Sequence, residues 1–321
     1  MILELSASGF SVETAGGGER YFSGLAGYLE SQGVGISWAS TPRKSIGQNF
    51  SIGSHGEIHA NIAGILHKTN PIPTLKTIMD MNGFLSRIEN EINIIHIHNF
   101  RTMPGTLWTI LSKFAKRRRD IKMILTDHGS MFAPFPRYFI RNFNYYALVS
   151  EMSNSYLQKL MPKPFQIVRT FVTDDFINLN LNKTFEDRNI DILFVGRIVP
   201  AKGIDKILDL GETLKNSEFN DIQIRIAGNS INQAYLEKLK NMTKAKNLSA
   251  NVKILTNVND YGIIELYNSS RLFVHIGSDT DIYGRRYAYP ELSSIVLLEA
   301  LGFGLPIIST KTHPAAIEAN L

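Results

Sequence analysis

The chain has 321 residues, 44% of them hydrophobic and 20% charged, with a formal net charge of +5 and no cysteine. That length holds two medium domains with a core each, and the lack of thiols excludes disulfides, thiolate zinc sites and a cysteine nucleophile while agreeing with a reducing, cytoplasmic setting. The positive balance favours anionic partners: nucleotide diphosphates, acidic lipid headgroups or nucleic acid.

The N-terminus, Met1-Ile-Leu-Glu4-Leu, carries an acid where a signal peptide would carry cations, and reads as a first strand. Short apolar runs then alternate with amphipathic stretches of helical length, the pattern of parallel sheets with crossover helices. In the first half the expected strands are 2–5, 36–39, 94–98, 122–126 and 146–149, with helices over 19–32, 75–91 and 106–116. The pattern restarts with strands 192–195, 222–227, 252–255, 272–275 and 307–309, and helices 203–214, 233–246, 262–267 and 295–301. This predicts an α/β protein of two Rossmann-like domains with parallel sheets facing a cleft. The first would cover 1–172 and the second 191–321. The polar, Asn-rich run 173–190 would be the hinge. The one long apolar region, Ile295–Ile308, is broken by Glu299 and glycines, too short to span a bilayer.

The densest chemistry lies in Glu291-Leu-Ser-Ser-Ile-Val-Leu-Leu-Glu299 and, upstream, in Asp191-Ile-Leu-Phe-Val-Gly196-Arg197-Ile-Val-Pro-Ala-Lys202-Gly203. With Glu291 ahead of a helix and Glu299 on it, the carboxylates stand roughly 12 Å apart at ~1.5 Å per residue. That span suits a ligand held at both ends. Arg197 and Lys202 follow a strand, where ligands of open α/β sheets bind. An arginine grips phosphate bidentately, a lysine adds a mobile charge, and together they stabilise a departing diphosphate. The plain alternative is a pair of solvated loop cations. Glu299 sits among apolar neighbours, and a buried carboxylate needs partners; vicinal ribose hydroxyls would serve. A helix-surface acid is the alternative for Glu299, and a favourable acid near a helix N-terminus for Glu291.

In the first half, Gly16-Gly17-Gly18-Glu19-Arg20 opens a helix after the first strand. It departs from the dinucleotide fingerprint because Tyr21 stands where the third glycine should fall. A flexible turn is the alternative to a ligand-approaching loop. His96 and His98 share one strand face, yet no accompanying carboxylate cluster of ligand type is read, so no metal site is expected. His128, in Thr126-Asp127-His128-Gly129, is placed to hydrogen-bond a sugar, or else to pack. The cationic stretch Lys113-Phe-Ala-Lys116-Arg-Arg-Arg119 ends a helix, where the dipole favours it; the other reading is a peripheral membrane contact. Nucleic acid is not expected, since no recognised binding module surrounds this cluster.

These residues resemble the retaining glycosyltransferases of family 4 (group 1), with the GT-B arrangement. The family's phosphate-binding pattern is similar to Gly196-Arg197 and Lys202-Gly203, and its paired glutamates to Glu291 and Glu299. Its glycine loop is similar to Gly16-Gly17-Gly18-Glu19-Arg20, and its strand-end histidine to His128. Ile226-Ala227-Gly228, Asn251–Leu255 and Val149-Ser150-Glu151 match further, so the likeness extends over essentially the whole chain. The resemblance implies Arg197 and Lys202 on the donor diphosphate, Glu299 on the ribose and Glu291 on the donor sugar. It implies Gly17 and Gly18 near the phosphates with Gly196, backbone amides at Ser294 and Ile295 toward the donor, and His128 near the transferred sugar.

It also implies hexose transfer from a nucleotide-diphosphate sugar to a glycan or lipid-linked acceptor, with retention, no metal and no separate cofactor. The setting would be cytoplasmic, or peripheral at the inner membrane face. The chain departs from the pattern with Ser293-Ser294 in place of Phe-Gly, and with His313-Pro314-Ala315-Ala316 in place of Gly-Gly. It ends at Leu321, where relatives continue through helices that close onto the first domain, as a fragment or a shortened member would. A non-catalytic nucleotide-sugar-binding or scaffold protein and a sugar-nucleotide epimerase are the alternatives.

Overall fold

The computed structural model describes residues 1–6, 17–40, 79, 82–83, 85–86, 90–98, 109–113, 120–128, 140–151, 165–172, 183–230, 232–287 and 294–310. The chain divides into two compact units, Met1–Arg169 and Thr170–Leu321. Residues 183–190, the end of the run read as a hinge, lie in the second unit, where buried Arg188 donates to the carbonyls of Ser270 (2.9 Å) and Phe303 (3.3 Å).

The first unit is built on a six-stranded sheet ordered β2-β1-β3-β4-β5-β6, every pairing parallel. Its strands are β1 (Ile2–Ser6), β2 (Ile36–Ser40), β3 (Ile94–His98), β4 (Lys122–Asp127), β5 (Tyr145–Leu148) and β6 (Gln166–Ile167), with helix α1 (Gly17–Ser31) between the first two. Strand alternation separates two sets of side chains. Leu3, Leu5, Ile95, Ile97, Met123 and Leu125 share one face and are fully buried. The opposite face carries Glu4, His96, His98 and Thr126, also buried but polar. The order reverses between β1 and β3, so this polar set stands at the sheet's topological switch point.

The second unit holds a five-stranded parallel sheet, β11-β10-β7-β8-β9. These strands are β7 (Ile190–Val195), β8 (Ile224–Ala227), β9 (Val252–Leu255), β10 (Ser270–His275) and β11 (Ile307–Ser309). The helices between them are α2 (Ile204–Lys215), α3 (Gln233–Ala245), α4 (Asp260–Asn268) and α5 (Ile295–Gly302). Central β7 is apolar on both faces, as a parallel strand covered on both sides must be. Ile192 and Phe194 pack with Ile207, Leu208, Tyr235 and Leu239 of α2 and α3. Leu193 and Val195 pack with Ile263, Tyr267, Leu297 and Ala300 of α4 and α5. The side-chain oxygens of Asn232 and Asn259 cap α3 and α4, accepting from the amides of Tyr235 (3.1 Å) and Gly262 (2.9 Å). Here the order reverses between β7 and β10, which fixes where a ligand would sit.

Candidate functional site

In the second unit the loop after β7 lies at that switch point. Gly196 donates from its amide to Ala227 O (2.9 Å) and Ile198 to Asn229 O (2.9 Å), so β7 and β8 hold the loop from its start. Gly228 crosses so close that a Cβ built on it would stand 1.8 Å from the Gly196 carbonyl oxygen. Arg197 is exposed. Pro200–Lys202 forms one 3-10 turn, which fits the fixed φ of proline at a helix start. Gly203 ends that turn at φ 62 and opens α2; a side chain there would be strained and would press on Ile276. Lys202 is half-buried at the turn's end. The amide of Ser278 donates to Ala201 O (3.2 Å), tying the turn to the segment after β10. The result is a backbone-rich, cationic loop at the carboxyl edge of the sheet, suited to a phosphate group.

Helix α5 carries three further expected site residues. Ser294 is its N-cap residue, and its hydroxyl lies 3.2 Å from His275 Nε2 at the end of β10. Ile295 is the first helical residue and is buried. Glu299 is 2% exposed, and its Oε2 accepts a 2.9 Å hydrogen bond from the Tyr267 hydroxyl. A phenol from α4 thus satisfies part of a carboxylate whose expected partners are ribose hydroxyls. Since an ionised carboxylate accepts about four hydrogen bonds, Tyr267 does not exhaust it. Tyr267 itself stacks on Phe303 at 5.3 Å between ring centroids and is fully buried. Its helical position gave no sign of this role. Glu291 and Ser293 lie outside the described residues, as do His313–Ala316 and the loop ahead of α1.

In the first unit, Gly17 and Gly18 are the first two residues of α1. His128 follows β4 directly. It does not stand alone. Its Nε2 is 3.0 Å from His98 Nδ1; His98 Nε2 is 2.8 Å from Glu4 Oε2; Glu4 Oε1 is 3.1 Å from His96 Nδ1; and His96 Nε2 is 2.7 Å from Thr126 Oγ1. Tyr21 of α1 meets the His128 ring edge-on at 4.9 Å. From sequence alone no carboxylate cluster of ligand type accompanies these histidines. The structure corrects this: parallel pairing sets Glu4 beside His96, ninety-two positions away. Glu4, His96 and His98 each bring a ligand-type atom within 4.8 Å of the others. Those atoms already pair with one another at hydrogen-bonding distances, so the trio satisfies itself.

The electrostatics follow from that pairing. Burial pushes the Glu4 carboxyl up, but the charge of His96 and hydrogen bonds from His96 and His98 outweigh it and hold the group at about 2. Burial, then repulsion from His96, lowers His98 to about 4 against the support of Glu4. His128 is held well below the ordinary histidine value by burial and by His98 and His96. Burial and the Glu4 charge raise Tyr21 to about 12. The cationic stretch is described only as far as Lys113; Lys116–Arg119 lie outside the described residues. Among the described residues no helix is long and apolar enough to cross a membrane.

Two units with parallel sheets, one with a cationic glycine loop at its switch point, define an α/β protein of the GT-B class. Residues 178–320 match the family described as glycosyl transferases, group 1. A glycosyltransferase of Haemophilus influenzae, itself uncharacterized, is 25% identical over 315 residues, 95% of this chain and 79% of its own. The capsular polysaccharide biosynthesis glycosyltransferase CapH of Staphylococcus aureus is 30% identical over 199 residues, 61% of this chain and 51% of its own, so the chain spans about half of that relative. The crystal structure of a glycosyltransferase from Rickettsia africae superposes with a TM-score of 0.70 at 18% identity, over 100% of this chain and 82% of the other. It is thus the second unit that is similar to the group 1 glycosyltransferases.

Proposed function

We propose that this chain is a retaining hexosyltransferase, moving a hexose from a nucleotide-diphosphate sugar to a glycan or lipid-linked acceptor in polysaccharide biosynthesis. The observation that carries the reading is the loop Gly196–Gly203. Two cations and close-approaching backbone gather there at the carboxyl edge of a sheet whose strand order reverses at that point. In the reaction the acceptor oxygen bonds to the anomeric carbon as the bond from that carbon to the diphosphate breaks on the same face. A diphosphate oxygen takes the acceptor's proton. Arg197 and Lys202 neutralise the charge that builds on the leaving group, which serves in place of a metal ion. Glu299 receives the ribose hydroxyls beside the hydrogen bond from Tyr267, Glu291 meets the donor sugar, and His128 meets the transferred sugar. The name of the Staphylococcus aureus relative supports the polysaccharide assignment. A cytoplasmic setting, peripheral at the membrane where the acceptor is lipid-linked, agrees with the zero cysteine count and the cations at 113–119.

The test is sugar transfer by the double variant Arg197→Ala with Lys202→Ala. Loss of at least about a hundredfold in turnover is expected from removing charge stabilisation of the leaving group. Undiminished transfer would rule the mechanism out.

A further inference from the structure

The inference rests on the reading of His128 as the side chain that meets a sugar, and it concerns which of its nitrogens does so. Glu4 is the anchor. An ionised carboxylate only accepts hydrogen bonds, so the nitrogens facing it, Nδ1 of His96 and Nε2 of His98, must both carry protons. A neutral His98 with its proton on Nε2 has a lone pair on Nδ1. The atom 3.0 Å from that lone pair, Nε2 of His128, must therefore donate. The reverse order, with His98 donating to His128, would turn a lone pair of His98 toward the Glu4 carboxylate. At the far end His96 Nε2 meets the hydroxyl of Thr126, which can donate or accept and closes the chain for either form of His96.

We propose that Glu4 and His98 are positioning residues that fix His128 as the neutral tautomer protonated on Nε2, so that its Nδ1 acts as a hydrogen-bond acceptor for a hydroxyl of the sugar substrate. The surroundings agree with this assignment. Glu4 is 1% exposed and His98 2% exposed. The low protonation range of His98 and His128 keeps both rings neutral near pH 7, and that of Glu4 keeps it ionised. Among the described residues Tyr21 also stands against the rings, a neutral phenol there that meets His128 edge-on. A histidine with two interchangeable tautomers would greet a hydroxyl as donor in part of the population and as acceptor in the rest. Fixing one tautomer removes that loss, and it requires a buried anion two side chains away, which explains a costly buried glutamate in the first strand.

The experiment is long-range proton–nitrogen correlation of the imidazoles in the full chain near pH 7, for the wild type, Glu4→Gln and Glu4→Asp. The wild type should show His98 and His128 neutral with the proton on Nε2. In Glu4→Gln the amide offers one accepting and one donating end. With its oxygen on His96 Nδ1 and its NH2 on His98 Nε2, both His98 and His128 must move their proton to Nδ1. Turnover of the same variant should fall about tenfold to a hundredfold with donor KM within about twofold, the pattern of an interaction needed in the transition state. Glu4→Asp should restore the wild-type tautomers and most of the turnover. A wild-type His128 that is cationic or protonated on Nδ1 overturns the proposal, as does stoichiometric zinc held by Glu4, His96 and His98. So does a flipped tautomer that leaves turnover intact. The wild-type spectrum decides the tautomer even if the variants fail to fold. It also decides it if the chain transfers no sugar, which would sink the transferase reading alone.

Discussion

The Cα of Gly228 and the carbonyl of Gly196 occupy space that no side chain could share: a Cβ at 228 would lie 1.8 Å from the Gly196 oxygen and 2.7 Å from its carbon. Both contacts are with backbone, which cannot rotate away. The phosphate-type loop after β7 is therefore shaped by a residue on the neighbouring strand's exit. Gly228→Ala should cost about 2–4 kcal/mol of stability, the range of severe steric substitutions, and should weaken nucleoside diphosphate binding more than an equally destabilising core change would. Urea unfolding with calorimetric titration of UDP, GDP and ADP measures both. A control comes from Gly27 on α1, where an added Cβ meets nothing within 4 Å. Gly27→Ala should raise stability by about 0.5–1 kcal/mol, because glycine costs a helix that much entropy.

The hydrogen bond from Tyr267 to Glu299 makes a second prediction. Tyr267→Phe keeps the stacking on Phe303 and removes only the hydroxyl. A buried carboxylate that loses a donor without water to replace it should cost about 1–3 kcal/mol. Nucleoside diphosphate affinity should drop in parallel if the same carboxylate must present its remaining lone pairs to ribose. Thermal unfolding and titration of the one variant read the two effects separately. An unchanged melting temperature would mean that the phenol is a bystander.

Strands were legible where an apolar residue opens a short run. β3, β9 and β11 each begin on an apolar residue and keep the bounds that the sequence suggests. They were misplaced where polar residues fall within a strand's first two positions. β7 starts at Ile190 and β10 at Ser270, two residues earlier than hydrophobicity suggests. The extra length is held by the ion pair of Asp191 with Arg271 (2.9 Å) and by the Asp191 carboxylate accepting from the Gln223 amide (2.8 Å). Conversely β8 starts at Ile224 rather than Ile222, because the Ile222 amide is taken by a turn to Phe219. Two-residue β6 is too short for any periodic signal. The cationic loop could be found from sequence because its residues are neighbours in the chain. Glu4 could not. It read as an acid that argued against a signal peptide, and its partners His96 and His98 become its neighbours only through the pairing of β1 with β3.

That buried polar face also predicts how stability depends on pH. In the folded chain Glu4 keeps its charge down to about 2, whereas an unfolded glutamate takes up a proton near 4.5. Between those values the unfolded chain binds more protons, so acid favours unfolding. His98 acts in the same direction over a higher window. Folded, it resists protonation down to about 4, while the unfolded side chain accepts a proton near 6.5. Stability should therefore be flat above about pH 7 and fall continuously as pH drops from 6.5, with His98 and His128 governing the upper part and Glu4 the lower part. Urea midpoints measured from pH 7.5 down to 3.5 trace this curve. Relative to the wild type, His98→Phe should be flatter between pH 6.5 and 4, and Glu4→Gln flatter below pH 4.5, although each begins from a lower midpoint at pH 7.5. A wild-type midpoint that rose on acidification from 6.5 to 4 would falsify the assignment of a neutral His98 beside an ionised Glu4.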